Sequence, residues 1–237
     1  MTAAIGTSRA LPVQDEGVPS WKLLLTLTLA GAIAGLAVVL LYQWTLPGIE
    51  AYKAGVLRVA IEEVLHAPQR ADTLWLRNGT LTATRPSEAD VRRTERVYRG
   101  YDGAGRPMGF AIRVVEPGFS EAIHLLIGYD AATRTLLGMK VLESKETPGI
   151  ADKIEKPVFT SQFAGRLAPL AGIKASERER LGRDRNAVLM LTGATISSRA
   201  VLKGINRAIE HWQPYLDAYR PPTAAAAIPA PPAGGRN

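Results

Sequence analysis

The chain contains no cysteine. It can therefore close no disulfide, hold no iron–sulfur cluster through thiolates and offer no thiol nucleophile, a lack that fits either side of a membrane. Histidine is scarce as well: His66, His124 and His211 lie far apart, without the spacing of metal ligands. No metal site is expected. Also missing are a dinucleotide-binding glycine fingerprint, a P-loop and a hydrolytic triad, so no residue is assigned a catalytic role. Acidic residues are outnumbered, 22 against 29, for a net charge of +7. The cations are scattered, however, and Lys174, Arg178, Arg180, Arg183 and Arg185 alternate with Glu177, Glu179 and Asp184. That is the pattern of a solvated surface and not of a phosphate track, so no nucleic-acid partner is expected.

What the chain does have is one long apolar run. Leu23 to Tyr42 carries no charge over 20 residues, enough to cross about 30 Å of hydrocarbon. Trp21 and Lys22 stand at one end, Tyr42 and Trp44 at the other, where amphipathic rings prefer the interface. The run is longer than the apolar region of a secretory leader and no Ala-x-Ala-like cleavage site follows promptly, so it reads as a retained anchor. Gly31 and Gly35 form a small-xxx-small face that would admit a neighbouring helix, or are simply glycines in a generic span. Arg9 and Lys22 before the run are balanced by Lys53 and Arg58 after it, so charge does not set the orientation.

Around this anchor, assigned to residues 21–44, the chain divides by pattern. Residues 1–20 show little periodicity and read as flexible. Residues 45–96 read as a helical and irregular connecting region. Within it, Ile49 to Leu65 places Val56, Val59, Ala60, Val64 and Leu65 on one helix face, with a stop at Ala67-Pro68. An antiparallel meander is expected next, with strands at 97–101, 109–115, 122–129 and 136–142. Asp102-Gly103, Glu116-Pro117-Gly118 and Asp130-Ala131-Ala132-Thr133 supply its turns. Val158 to Leu167 reads as a short helix that puts Phe159, Phe163 and Leu167 into a core. The segment 221–237 is Pro, Ala and Gly with a single Arg, and reads as a disordered tail. The fold class expected is α+β.

The most informative stretch is Thr192-Gly193-Ala194-Thr195-Ile196-Ser197-Ser198. It follows the apolar Val188-Leu189-Met190-Leu191 and precedes a helix carrying Ile196, Ala200, Val201, Gly204, Ile205, Ala208 and Ile209 at helical spacing. The hydroxyls thus fall where a helix begins. Small residues let the backbone approach a ligand, and first-turn N–H groups attract anions. The plainer reading is a Thr or Ser N-cap. A second segment, Glu146-Thr147-Pro148-Gly149, follows a strand and must turn at Pro148-Gly149.

Together, Glu146-Thr147-Pro148-Gly149 and Thr192-Gly193-Ala194-Thr195 resemble the two signatures of the FMN-binding domain in the G-type subunit of the Rnf electron-transport complex. The same pair occurs in the C-type subunit of the sodium-pumping NADH:quinone oxidoreductase. The resemblance runs from about Tyr98 to about Trp212. The chain departs from the family's usual pattern at Leu189, where an Asp is common, and at Ala151, where a Gly is usual.

The resemblance implies a single transmembrane helix followed by an extracytoplasmic FMN-binding domain, here 97–220, with an antiparallel sheet and flanking helices. It implies FMN bound to Thr195 through a phosphoester, with Thr192, Gly193, Ala194, Ser197 and Ser198 around the phosphoryl group. Glu146, Thr147, Pro148 and Gly149 would wall the flavin ring, and Lys153 would offer a positive charge beside it. The implied partners are the other membrane subunits of an Rnf-type complex and a flavin transferase, since nothing in the motif could activate Thr195. The implied location is the inner membrane with the domain on the periplasmic side. The chain would be an electron-transfer subunit of a ferredoxin:NAD oxidoreductase coupled to ion translocation. The alternatives are the flavin subunit of a quinone oxidoreductase, or an anchored binding or scaffold domain without flavin.

Overall fold

The structure is a computed structural model that describes residues 19–144 and 152–220. The chain divides into two units, Met1–Lys53 and Ala54–Asn237. Described residues of the first unit are almost all helical and belong to α1 (Ser20–Val64), which is long and apolar enough to cross a membrane. Its side chains from Trp21 to Leu41 are exposed, as a lipid-facing helix requires. Its threonines bury their own polarity: Thr26 Oγ1 donates to Lys22 O and Thr45 Oγ1 to Leu41 O, each at 3.0 Å. Such back-bonding is how a hydroxyl satisfies itself where water is absent. The sequence suggested an anchor and a separate helix after Pro47. In the structure helical hydrogen bonding carries on through Pro47 and both stretches are one element.

The second unit is built on a six-stranded antiparallel sheet of order β2-β1-β3-β4-β5-β6. The strands are β1 (Arg70–Arg77), β2 (Thr80–Thr82), β3 (Arg96–Tyr101), β4 (Pro107–Pro117), β5 (Ala122–Asp130) and β6 (Thr135–Glu143). The four meander strands fall where the turn residues place them. The hairpin β1–β2 corrects the reading of 45–96 as helical and irregular. Its signal is Asn78-Gly79, both at positive φ (50° and 73°), the two-residue turn whose twist matches flanking strands. Between β2 and β3 lies the single-turn helix α2 (Glu88–Val91).

Strand alternation gives the sheet two apolar faces. Ile112, Val114, Leu125 and Ile127 enter the larger core, whereas Ala111 and Leu126 join Ala60, Ile61, Val64 and Leu65 at the end of α1. Val59 was expected on that inner face but is exposed; Ile61 takes the place. The end of α1 lies so close to the sheet that a Cβ on Gly128 would come within 2.1 Å of Val64 O, so no other residue fits there. The helix stops through His66 and Ala67, both left-handed, just before Pro68.

The larger core is closed by α4 (Thr195–Ala218), which buries Val201, Leu202, Ile205, Ile209, Trp212 and Leu216. Burying each such chain is worth roughly 1.5–3 kcal/mol. Ile196, expected on the inner face, is 56% exposed because it precedes the point where α4 meets the sheet. The expected helix 158–167 is shorter. It consists of α3 (Pro157–Thr160) and a 3-10 turn, Ser161–Phe163, after which Gly165 adopts φ 76°. Phe159 and Phe163 are buried and pack edge to face, while Leu167 bridges to Thr135 as extended chain. A second, parallel sheet pairs β7 (Ala171–Ile173) with β8 (Ala187–Leu189), delivering the chain to the hydroxyl-rich turn.

Candidate functional site

The turn between β8 and α4 holds the motif in a fixed conformation. Gly193 has φ 85°, a region that glycine enters at no steric cost. This brings Ala194 to the N-cap position, where its methyl group offers no acceptor to the first-turn N–H groups. The hydroxyls do not cap the helix either in the way sequence alone would favour. Thr195 Oγ1 donates back to Leu191 O at 3.3 Å, and Ser198 Oγ donates to Ala194 O at 2.8 Å while accepting from Leu191 N at 3.1 Å. The positive end of α4 is thus left without a capping hydroxyl from Thr195 or Ser198, which suits an anion.

Burial sorts the motif residues into two sets. Thr192, Gly193 and Thr195 are exposed, so a group attached or bound there has room. Ala194, Ser197 and Ser198 are buried and face the protein. Ser198 staples the turn to the helix. Leu189, which stands where the family has an Asp, is held through its backbone: its N–H donates to Gln162 Oε1 at 2.9 Å and its carbonyl accepts from Gln162 Nε2 at 3.4 Å. The same Nε2 reaches Val158 O at 3.2 Å, so α3 runs beside the strand that leads to Thr195. Val158 itself is 76% exposed.

A cation completes the turn from another segment. Lys153, in a 3-10 turn at Asp152–Glu155, places its Nζ 3.9 Å from where a Cβ on Gly193 would sit. It brings a charge from the end of the 146–153 region to the motif. Glu146, Thr147, Pro148 and Gly149 lie outside the described residues. Two contributors carried no distinct sequence signal: Gln162, which clamps Leu189, and Glu116, which pairs with cations of α4. Glu116 is buried and accepts from Lys203 and Arg207, 91 residues away in the latter case. Its place before Pro117-Gly118 suggested a turn residue and nothing more.

A phosphoryl group fits what is present. An exposed hydroxyl stands at the first helical residue, the N-cap has no competing side-chain acceptor, Gly193 leaves open space, and Lys153 supplies charge. The three histidines are not gathered: His211 Nε2 lies 3.2 Å from Glu95 Oε2 on the opposite half of α4. No cluster able to hold a metal occurs among the described residues.

Comparison with known proteins agrees with this chemistry. Residues 118–210 match the FMN-binding domain family. The G-type subunit of the ion-translocating oxidoreductase complex of Methanosarcina acetivorans is 28% identical over 80% of this chain and 93% of its own length. Its counterpart in the Na(+)-translocating ferredoxin:NAD(+) oxidoreductase complex of Acetobacterium woodii is 29% identical, covering 85% and 95%. The G-type subunit of the ion-translocating complex of Vibrio atlanticus is 34% identical over 45% of this chain and 51% of its own. In fold, the crystal structure of NqrC from Shewanella oneidensis aligns with a TM-score of 0.59 at 17% identity, covering 71% of this chain and 100% of that one. In sequence the chain is thus similar to the FMN-binding domain family over residues 118–210 and, over most of its length, to G-type subunits of ion-translocating oxidoreductase complexes.

Proposed function

We propose that this chain is an anchored flavoprotein that relays electrons within an ion-translocating ferredoxin:NAD oxidoreductase, holding FMN as a phosphoester of Thr195. The observation that carries it is the exposed Thr195 hydroxyl at the uncapped start of α4, within the family match and beside Lys153. When bound, the flavin supplies the redox chemistry. The chain's own residues tether, orient and neutralise. Thr195 Oγ1 becomes the ester oxygen and loses its proton, so it can no longer donate to Leu191 O. The side chain must then release that carbonyl and turn outward, using the second rotamer open to a helical threonine. The ester keeps one formal negative charge, which the start of α4 and Lys153 stabilise. Gly193 leaves room for the phosphoryl oxygens. No base lies in the motif, so a flavin transferase would perform the attachment, taking the Thr195 Oγ1 proton and transferring FMN from an activated flavin nucleotide as the P–O bond to that nucleotide's other half breaks and that half leaves. Glu146, Thr147, Pro148 and Gly149 complete the flavin surroundings, as their place in the family pattern implies.

The anchor holds this unit to the other membrane subunits of the complex, with the domain outside the cytoplasm. The relatives matched over nearly their whole length are G-type subunits, which favours this reading over a quinone-oxidoreductase subunit, for which the shared motif pair and likeness of fold speak. Denaturing gels of natively expressed protein, viewed for flavin fluorescence, test the attachment. Thr195→Ala should abolish the fluorescent band and the added FMN mass in intact-mass spectra while the domain stays folded. Retention of the full flavin mass in that variant would overturn the assignment. Proteolysis of sealed right-side-out vesicles tests the topology: the domain should be digested, and its protection would reverse the orientation.

A further inference from the structure

Helix α4 carries Thr195, Arg199, Lys203 and Arg207 at successive four-residue steps. Each side chain therefore neighbours the next along a slowly turning stripe. Two of its three cations are already engaged. Lys203 Nζ lies 3.0 Å from Glu116 Oε1, and Arg207 Nη1 lies 2.8 Å from Glu116 Oε2. The Glu116 side chain is only 3% exposed, and Gly204 lets it come this close, because a Cβ there would meet Glu116 Cβ at 2.8 Å. Both carboxylate oxygens are used.

Arg199 is different. It is exposed and makes no ion pair or hydrogen bond with any other described residue. With Lys174, Met190 and Leu202 it borders a cleft of about 370 Å³. The nearby Glu177 does not neutralise it, since that carboxylate accepts from Lys174 N at 3.1 Å and from Arg180 Nη1 at 2.9 Å. Side chains on a helix lean toward its N-terminus, and Arg199 stands four residues after Thr195, which puts the first turn of α4 within reach of its long side chain.

We propose that Arg199 is the counter-ion of the phosphoryl group held at Thr195, and that Glu116 reserves it for that role by engaging the next two cations. A guanidinium fork meets two phosphoryl oxygens at once, which an ammonium cannot do. Lys153 approaches the same group across Gly193, so the phosphoryl lies between one cation from each side. This inference rests on Thr195 as the attachment residue.

The test compares full-length protein purified with covalent FMN, as wild type, Arg199→Gln and Arg199→Lys, with flavin-free Thr195→Ala and Thr195→Ala/Arg199→Gln. Arg199→Gln should lower the melting midpoint of the loaded protein by about 3 °C in low salt. High salt should erase most of the difference, and Arg199→Lys should restore part of it. In the Thr195→Ala background the same change should shift nothing. Loading is followed in parallel, and Arg199→Gln should acquire fluorescence about tenfold more slowly. Equal melting shifts with and without flavin would reduce Arg199 to an ordinary surface residue and overturn the proposal. So would loading and melting unchanged from wild type. Flavin retained on Thr195→Ala would instead overturn the attachment residue, a result visible before Arg199 is touched.

Discussion

The two halves of α4 are built on opposite terms. From Val201 to Leu216 the helix is pressed into the core, with Gly204 against β4 and Trp212 and Leu216 buried. Its first turn is bare by contrast: Thr195, Ile196 and Arg199 are exposed, and Ala194 leaves the N-cap without a polar side chain. The pinned half makes the bare half useful. A first turn that spent its N–H groups on a capping serine, or its arginine on Glu116, would have nothing left for an anion. A first turn without Glu116, Gly204 and the core behind it would not stay in one place. Exposed and packed residues are thus divided along one helix.

Substitutions can break this division from either side. The largest effect on function falls on the bare half: Thr195→Ala should remove all covalent flavin at a cost of about 1 kcal/mol or less in stability. The largest effect on stability falls on the pinned half. Gly204→Val would drive its side chain into Glu116 and Val114, where a Cβ alone already sits 2.8 and 3.1 Å from them. A loss of about 3 kcal/mol is expected from such overpacking, read by chemical denaturation. Glu116→Ala should cost less, about 1–2 kcal/mol, because Lys203 and Arg207 stay 62% and 60% exposed and can return to water. It should also blur the contrast between the halves, by freeing two cations for the phosphoryl group and making Arg199→Gln less damaging.

Smaller effects sharpen the picture. Glu146→Ala/Thr147→Ala leaves the Pro148-Gly149 turn intact and should keep flavin on Thr195 while shifting its absorption spectrum or midpoint potential. Unchanged flavin properties in a domain of unchanged stability would return that loop to a simple turn. At the far end of the pinned half, Tyr129 donates its hydroxyl to Gln213 on α4. Burial pushes the Tyr129 phenol up to about 12 from 10.0. The neutral ring is favoured in the folded domain, so stability is undiminished below pH 10 and falls as pH rises from 10 to 12. Tyr129→Phe should flatten that part of the alkaline melting profile.

The legibility of these regions follows the range of the forces involved. The membrane-spanning length of the first helix was readable from Leu23 to Tyr42 alone, because hydrocarbon thickness sets a length that local composition either meets or does not. The meander was readable from Asp102-Gly103 and Asp130 to Thr133, since short turns commit their flanking strands to antiparallel neighbours. The hairpin β1–β2 was just as local, and Asn78-Gly79 announced it, but a three-residue strand, Thr80–Thr82, offers too little alternation to stand out. Val59 and Ile196 were misplaced for a different reason. Helical periodicity says which residues share a face, not how far along the helix that face meets its partner.

Composition and order alone determined that this chain has one apolar run of membrane-spanning length, no thiol chemistry, and a hydroxyl-rich turn at the start of an amphipathic helix. Each of these depends on residues adjacent in the chain. Tertiary structure decided which hydroxyls face solvent, that Lys153 stands beside Gly193, and that Glu116 engages Lys203 and Arg207 while Arg199 has no ion pair among the described residues. Those are distances between segments tens of residues apart. Only the packed sheet and α4 bring such segments together, because a buried carboxylate chooses its cations by reach and desolvation, which spacing in sequence does not encode.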